Sequence, residues 1–239
     1  MNSSVRKRLK LIGVGLTVVG LGFLAGAGVA WVKVQAGYGS LQAFSEAQNV
    51  TLSYDDQGQL VDRGSPEQAA AIKELLMVDW GYPVVDSDLD PNDPLVNTGT
   101  EYMFQMATIS YHTLHGTQTV TLDTDVEYQG TLYEAGTYEV DVDGKYWTGF
   151  DRMHPLEGPA RDMAWSGTAH ALVAELGVGT VTHSALQLGL GIAALLGGLG
   201  VIFSTLGIAM IWLGATKSDD LVPDTVPDSL TGERDPQLV

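Results

Sequence analysis

The sequence predicts an α+β protein in which two transmembrane helices bracket a small exported domain with helices and an antiparallel β meander. The stretches 11–31 and 185–214 contain no Asp, Glu, Lys or Arg. About 20 apolar residues in a helix cross the hydrocarbon core of a bilayer, so both stretches are long enough to span it. Between them, capping residues at Ser65 and Thr98 start helical patterns, and apolar residues alternate with polar ones over 118–148.

The predicted organisation therefore has five parts. They are a basic cytoplasmic N-terminus, 1–10; a first transmembrane helix, 11–31; an acidic extracytoplasmic domain, 32–183; a second transmembrane helix, 184–214; and a disordered acidic cytoplasmic tail, 215–239. The alternative for the first 30 residues is a cleaved signal peptide, since Ala25-Gly26-Ala27 fits a cleavage site. An uncharged run that continues to Trp31 is longer than the apolar core of such a peptide and favours an uncleaved anchor.

Basic residues beside the spans predict their orientation in the cell membrane. Lys33 is the one basic residue close after the first span, and Lys217 follows the second. Four basic residues precede the first span: Arg6, Lys7, Arg8 and Lys10. Because loops rich in Lys and Arg stay in the cytoplasm, both termini are predicted to be cytoplasmic and the central domain extracytoplasmic.

The charge and the amino-acid composition exclude several classes of function. The net charge is −17, and residues 32–183 hold 6 Lys and Arg against 23 Asp and Glu. Nucleic-acid binding requires clustered basic residues, so no nucleic-acid partner is expected. The chain has no cysteine, which excludes disulfides, thiolate metal sites and cysteine nucleophiles. The expected partners are the lipid bilayer and other membrane protein subunits.

The first half of the domain is predicted from turn and capping signals. Residues 37–62 are expected to be extended or turn-rich, with a short hairpin around Asp56-Gln57-Gly58. Ser65 is expected to cap a helix, with Gln68 completing a capping box. That helix should end near Gly81.

A second helix is predicted over 98–116, where Thr98 and Glu101 form another capping box. A strand over 107–113 is the alternative, because that segment contains β-favouring residues. The β meander follows over 118–148, with turns at Gln129-Gly130 and Asp143-Gly144.

The last helix of the domain is predicted to start at Pro159 and to run into the second span. Small residues four apart within the spans predict close helix packing, either between the two spans or on another membrane protein. The helix-packing residues are Gly22 and Gly26 in the first span, and Ala193, Gly197, Ala194, Gly198, Gly200 and Ser204 in the second.

Metal binding is possible in principle at two places. His112 and His115 are three residues apart on a predicted helix, and with His154 they could bind copper or zinc. Asp86, Asp88 and Asp90 alternate as in a calcium loop. That loop lacks the glycine and the glutamate that an EF-hand needs at its sixth and twelfth positions, so no cofactor is the primary expectation.

The segment 151–165 contains the densest mixture of functional side chains. Three interpretations stay open for it: a polar knot that pins the loop, a docking surface for a partner, and a general acid–base site at His154. The candidate docking residues are Asp151, Arg152, His154, Glu157, Arg161 and Trp165.

The segments WSGTAHALV at 165–173 and GLGVIF at 198–203, set within this two-span plan, resemble small envelope proteins of actinobacteria. The resemblance implies a location in the cell envelope and no activity. The domain contains no G-x-S-x-G, P-loop or G-x-G-x-x-G motif. The expected function is therefore non-catalytic: an accessory or assembly subunit of a larger membrane complex. The alternative is a metal-binding envelope protein or a metal-dependent enzyme that uses the histidines.

Overall fold

A computed structural model of the chain describes residues 2–216. The predicted tail, 215–239, lies outside the described residues except for its first two positions. The chain divides into two compact units. We call the part up to Trp31 together with the part from Gly191 onward the helix-pair unit, and we call Val32–Leu190 the domain unit.

Two long helices, α1 (Ser3–Gln48) and α5 (Gly167–Ala215), contribute to both units. Each contains a segment that is long and apolar enough to cross a membrane. Only 11% of each apolar window is buried inside the protein. Most apolar side chains of the two windows are therefore exposed on the surface of the protein.

The helix α1 extends much further than the predicted span. Residues 37–48 are helical, so the prediction that this segment is extended or turn-rich is wrong. Gly37 lies against the side chain of Leu186 on α5. Three residues closer to the span, Val34 packs so near Gly189 that a Cβ at Gly189 would lie 2.8 Å from Val34 Cγ2. Both glycines therefore serve close helix packing.

The predicted capping residues start the next two helices. Helix α2 (Pro66–Glu74) continues as a π-helical turn over Leu75–Asp79. Its Ser65 Oγ accepts a hydrogen bond from Gln68 N, which confirms the N-cap but only half of the capping box. Helix α3 (Gly99–Thr113) has a complete capping box, in which Thr98 Oγ1 accepts from Glu101 N and Glu101 Oε2 accepts from Thr98 N. The alternative strand over 107–113 is therefore wrong.

The β structure differs from the predicted meander. Strand β1 (Ser53–Tyr54) pairs with β2 (Leu60–Val61) in the predicted short hairpin. The other four strands pair in a nested, antiparallel way, β3 with β6 and β4 with β5. They are β3 (Thr117–Leu122), β4 (Val126–Tyr128), β5 (Thr131–Tyr133) and β6 (Gly136–Asp141).

These four strands share a single turn, which explains the nested pairing. Gln129 and Gly130 both have positive φ, at 49° and 81°, as the tight turns of two-residue hairpins require. Three residues separate β3 from β4, and two separate β5 from β6, so the register shifts by one residue between the pairs. The turn predicted at Asp143-Gly144 follows β6 and leads to the 3-10 turn Trp147–Gly149 instead of another strand.

The predicted final helix consists of two helices. Helix α4 (Glu157–Ala164) ends at Trp165, and α5 starts at Gly167 with Ser166 Oγ accepting a hydrogen bond from Ala169 N. Two apolar clusters hold the domain unit together. One lies around Ile72 and Leu76 of α2 and its π-helical turn, and the other lies around Val142 and Ala160, all of them fully buried.

Candidate functional site

An apolar groove of about 850 Å³ lies in the domain unit between the end of α1, α3 and the start of α5. We call it the α1–α3–α5 groove. Leu41, Val96 and Tyr102 contribute buried side chains to its wall. Phe44 and Leu172 line it while remaining 46% and 42% exposed. The groove is within the size range of small-molecule sites, which are commonly about 300–1,000 Å³.

Among the polar side chains that line this groove, two buried hydroxyl groups lie next to each other. Ser45 Oγ and Tyr102 OH lie 2.7 Å apart and are both buried. Gly179 lets the Tyr102 ring pack across α5, because a Cβ at this glycine would lie 2.7 Å from two ring carbons. Glu175 is the one charged side chain among the described residues that line the groove.

The loop before α4 is a polar knot, as one interpretation of the sequence expects. Asp151 accepts hydrogen bonds from Tyr128 OH at 2.7 Å and from Met153 N at 3.0 Å. Glu157 accepts from Asp151 N at 2.8 Å and from Lys145 Nζ at 3.0 Å. These bonds tie the loop to β4, to the segment after β6 and to the first turn of α4.

His154 occupies the centre of this knot. Its Nδ1 accepts hydrogen bonds from Leu156 N at 3.1 Å and Glu157 N at 3.3 Å at the start of α4. Because an accepting Nδ1 carries no proton, neutral His154 is protonated at Nε2, which lies 2.9 Å from Tyr133 OH. Both ring nitrogens are thus used to hold the loop and helix together.

The two carboxylates of the knot are held ionised. The hydrogen bond from Tyr128 lowers the pKa of Asp151, and that of Met153 N adds to the effect. The backbone N–H of Asp151, followed by Lys145, lowers the pKa of Glu157. A general acid working near neutral pH needs a raised carboxyl pKa, so neither group suits that role.

An aromatic cluster adjoins the knot. The Arg161 guanidinium lies 3.9 Å from the centroid of the Trp147 ring. Trp165 donates from Nε1 to the carbonyl of Lys145 at 3.0 Å and stacks on Tyr146. Arg161 and Trp165 therefore pack against the neighbouring residues Trp147 and Tyr146. Arg152 is exposed on the loop.

The histidines predicted as metal ligands are engaged separately. His112 Nε2 lies 2.8 Å from Asp62 Oδ2, with both side chains partly buried, and His115 Nδ1 lies 2.7 Å from the Tyr111 carbonyl. Within residues 2–216, no three His, Asp or Glu side chains lie close enough to hold a metal ion. His154 belongs to the knot described above.

In the predicted calcium loop, the carboxylates of Asp86 and Asp90 bind other side chains and backbone groups of the protein. Asp86 pairs with Lys73 at 2.6 Å, and Asp90 accepts hydrogen bonds from the backbone and side chain of Asn92. Asp88 ends the short 3-10 turn that begins at Asp86. Glu101 behaves differently: it is buried, caps α3, and has a pKa raised by burial.

In the helix-pair unit, the two helices run antiparallel and meet at small residues. A Cβ at Gly13 would lie 2.6 Å from the Gly207 carbonyl, and a Cβ at Gly20 would lie 2.6 Å from Ser204 N. Gly200 faces Gly20 in the same way. Further contacts follow at Gly26 with Leu196 and at Gly197 with Ala27, both at 3.8 Å.

The structure separates the predicted packing residues into those at the contact between α1 and α5 and those that face open space. Gly26, Gly197, Gly200 and Ser204 lie at this contact and Ala193 is buried. Gly22 and Gly198 have open space around them, and Ala194 is exposed. The contact repeats every seven residues, as in Gly200–Gly207–Gly214, which is the period of coiled-coil packing. Spacing alone does not select these residues, because Gly15 with Gly22 and Gly191 with Gly198 are also seven apart and face open space.

The α1–α3–α5 groove was missed because residues 37–48 were not expected to be helical. The spacing of Leu41, Phe44 and Ser45, at i, i+3 and i+4, places them on one face of a helix and was the available signal for helical structure. Comparison of the chain with protein-family models, with curated proteins and with solved structures found no match.

Proposed function

We propose that this chain is a two-span protein of the cell membrane with cytoplasmic termini and an extracytoplasmic domain. Its function is that of a non-catalytic accessory or assembly subunit of a larger membrane complex. The two long helices with unburied apolar side chains support the membrane location. Arg6 supports the pairing of the helices, because it donates from Nη2 to the Thr216 carbonyl at 2.8 Å at the end of α5.

A preorganised exposed patch on the domain carries the proposed docking role. Met153 is 77% exposed. It lies in the loop that the hydrogen bonds of Asp151, His154 and Glu157 hold in place. Around it in sequence, further large side chains and basic residues collect. They are the partly exposed Tyr146, Trp147 and Met163, the exposed Arg152 and the partly buried Lys145.

This composition is typical of an interface. Aromatic residues, methionine and arginine are enriched where proteins bind one another, and a rigid loop loses little conformational entropy on docking. The knot therefore supports binding by fixing the loop, and its buried or satisfied groups leave no free acid–base pair for catalysis.

Mild-detergent purification of the full chain from its host tests the docking role. Met153→Asp is expected to abolish co-purification of a stoichiometric membrane protein that the wild type retains. Leu132→Asp is the matched control, because Leu132 is 60% exposed on β5, away from the loop in sequence. Equal retention by both variants would refute docking through this patch.

Elemental analysis of the same samples tests the alternative class. Stoichiometric copper, zinc or calcium in the wild type, lost in a His112→Ala/His115→Ala variant, would establish a metal protein instead. Metal-free protein together with a stoichiometric partner supports the subunit.

A further inference from the structure

We propose that the α1–α3–α5 groove binds an uncharged lipid taken from the outer leaflet of the surrounding membrane. This inference rests on the proposed membrane location but does not depend on the protein partner. It assigns a ligand class to a cavity that the docking patch does not use.

The position of the groove along α1 points to the membrane as the source. Lys33 is the first charged residue after the predicted span, and Gly37, at one end of the groove, follows four residues later. At a rise of about 1.5 Å per residue, that end lies about 6 Å beyond Lys33. The predicted span ends at Trp31, six residues before Gly37, so the groove begins about 9 Å beyond the span. That is at the outer edge of the polar headgroup layer, which is about 5–8 Å thick on each side of a bilayer.

The exposed rim gives the second argument. Phe44, Leu172 and Val178 line the groove and are 46%, 42% and 66% exposed. Apolar surface of this kind is unfavourable in water, at about 25 cal/mol per Å². Contact with a lipid chain at the membrane surface would cover it.

The polar groups of the groove specify an uncharged end group. In the Ser45–Tyr102 pair, one hydroxyl donates to the other, and the second hydroxyl hydrogen has no partner among the described residues. Gln105 adds an amide beside Tyr102 on α3. The charge at Glu175 disfavours an anionic headgroup, as does the excess of acidic residues in the domain. A hydroxyl or carbonyl end group therefore fits best.

Photolabelling of the full chain in lipid nanodiscs tests this site. The probe is a diazirine-bearing hexadecanol, and the labelled peptides are identified by mass spectrometry. We expect labelling of the groove segments 37–48 and 102–109 in addition to the spans. Leu172→Trp, which fills the groove, should reduce groove labelling about fivefold or more, because overpacked cavities resist occupation.

The control lies on the same helix. Val181 is 68% exposed on α5 but does not line the groove, so Val181→Trp should leave groove labelling unchanged. The anionic analogue, diazirine-bearing hexadecanoate, should label the groove about threefold less than the alcohol, and Glu175→Gln should remove this preference.

Labelling spread along the spans and unchanged in Leu172→Trp would overturn the proposal. Stronger labelling by the acid than by the alcohol would overturn the uncharged ligand class. Loss of the chain from the membrane fraction would refute the proposed membrane function as well, whereas a membrane-inserted chain without groove labelling refutes only the lipid site.

Discussion

Replacing Gly20 by alanine is expected to push α1 and α5 apart in the helix-pair unit. The new Cβ would lie 2.6 Å from Ser204 N and 2.8 Å from the Gly200 carbonyl. Both are backbone atoms, which cannot rotate away as the end of a side chain can. Gly22 is the matched control, because it is on the same helix and has nothing within 4 Å of its Cβ position.

The two variants differ only in this contact, so their free energies can be compared. In a helix interior, Gly→Ala is favourable by about 0.5–1 kcal/mol in water. Overpacking costs about 1–3 kcal/mol. Gly22→Ala should therefore be neutral or slightly stabilising, and Gly20→Ala should be less stable than it by about 1–3 kcal/mol, which is about fivefold or more in the equilibrium between packed and separated helices.

Disulfide crosslinking measures this equilibrium without background, because the chain has no cysteine. A Cβ at Gly197 would lie 3.8 Å from the Ala27 Cβ, and disulfides join Cβ atoms about 3.5–4.5 Å apart. Ala27→Cys/Gly197→Cys should therefore crosslink readily under mild oxidation in detergent.

Gly20→Ala should slow this crosslinking, and Gly22→Ala should not. A Gly22→Cys/Gly198→Cys pair, whose positions both face open space, should fail to crosslink. Rapid crosslinking of that pair, or equal rates in the two alanine variants, would refute the packing of these helices through Gly20.

Two further predictions concern titratable groups of the domain. Burial raises the pKa of Tyr54 from 10.0 to about 12, and its hydroxyl has no hydrogen-bond partner within the described chain. Because a buried hydroxyl without a partner is destabilising, Tyr54→Phe should raise the free energy of unfolding by about 1 kcal/mol. Because the wild-type pKa is higher when folded, its stability should fall between pH 10 and pH 12, and chemical denaturation should show a smaller fall in the variant. The pKa of Glu157 is lowered in the fold, so its contribution is present above its usual value of 4.5 and is lost as the pH falls. Glu157→Gln should weaken this acid dependence of thermal unfolding, and an unchanged profile would contradict the role of the Asp151 and Lys145 contacts.

Local signals in the sequence predicted much of the fold. Ser65 and Thr98 cap the helices predicted from them, because their hydroxyls satisfy N–H groups a few residues away. Gln129-Gly130 forms a tight turn for the same local reason. The nested strand pairing was not predictable from such signals, since several pairings fit the same alternation and the choice among them depends on distant contacts, such as that of β3 with α4.

The candidate sites divide in a similar way. The sequence singled out Asp151, His154 and Glu157 because polar types collect there, but which atoms they bond depends on β4, β5 and Lys145 brought close by the fold. The histidines at 112 and 115 share a helix, yet His112 turns to Asp62 and His115 to its own backbone.

The sequence by itself determined the two apolar helices, the acidic domain between them and the helix caps, because hydropathy and hydrogen bonding within a few residues do not depend on distant partners. Only the tertiary structure decided how residues 37–48 pack with α3 and α5 to form the α1–α3–α5 groove. It also decided that the long helices meet at Gly13, Gly20 and Gly207 rather than at Gly22 and Gly198. These features depend on which faces of separate segments meet, and that is set by packing between side chains far apart in the chain.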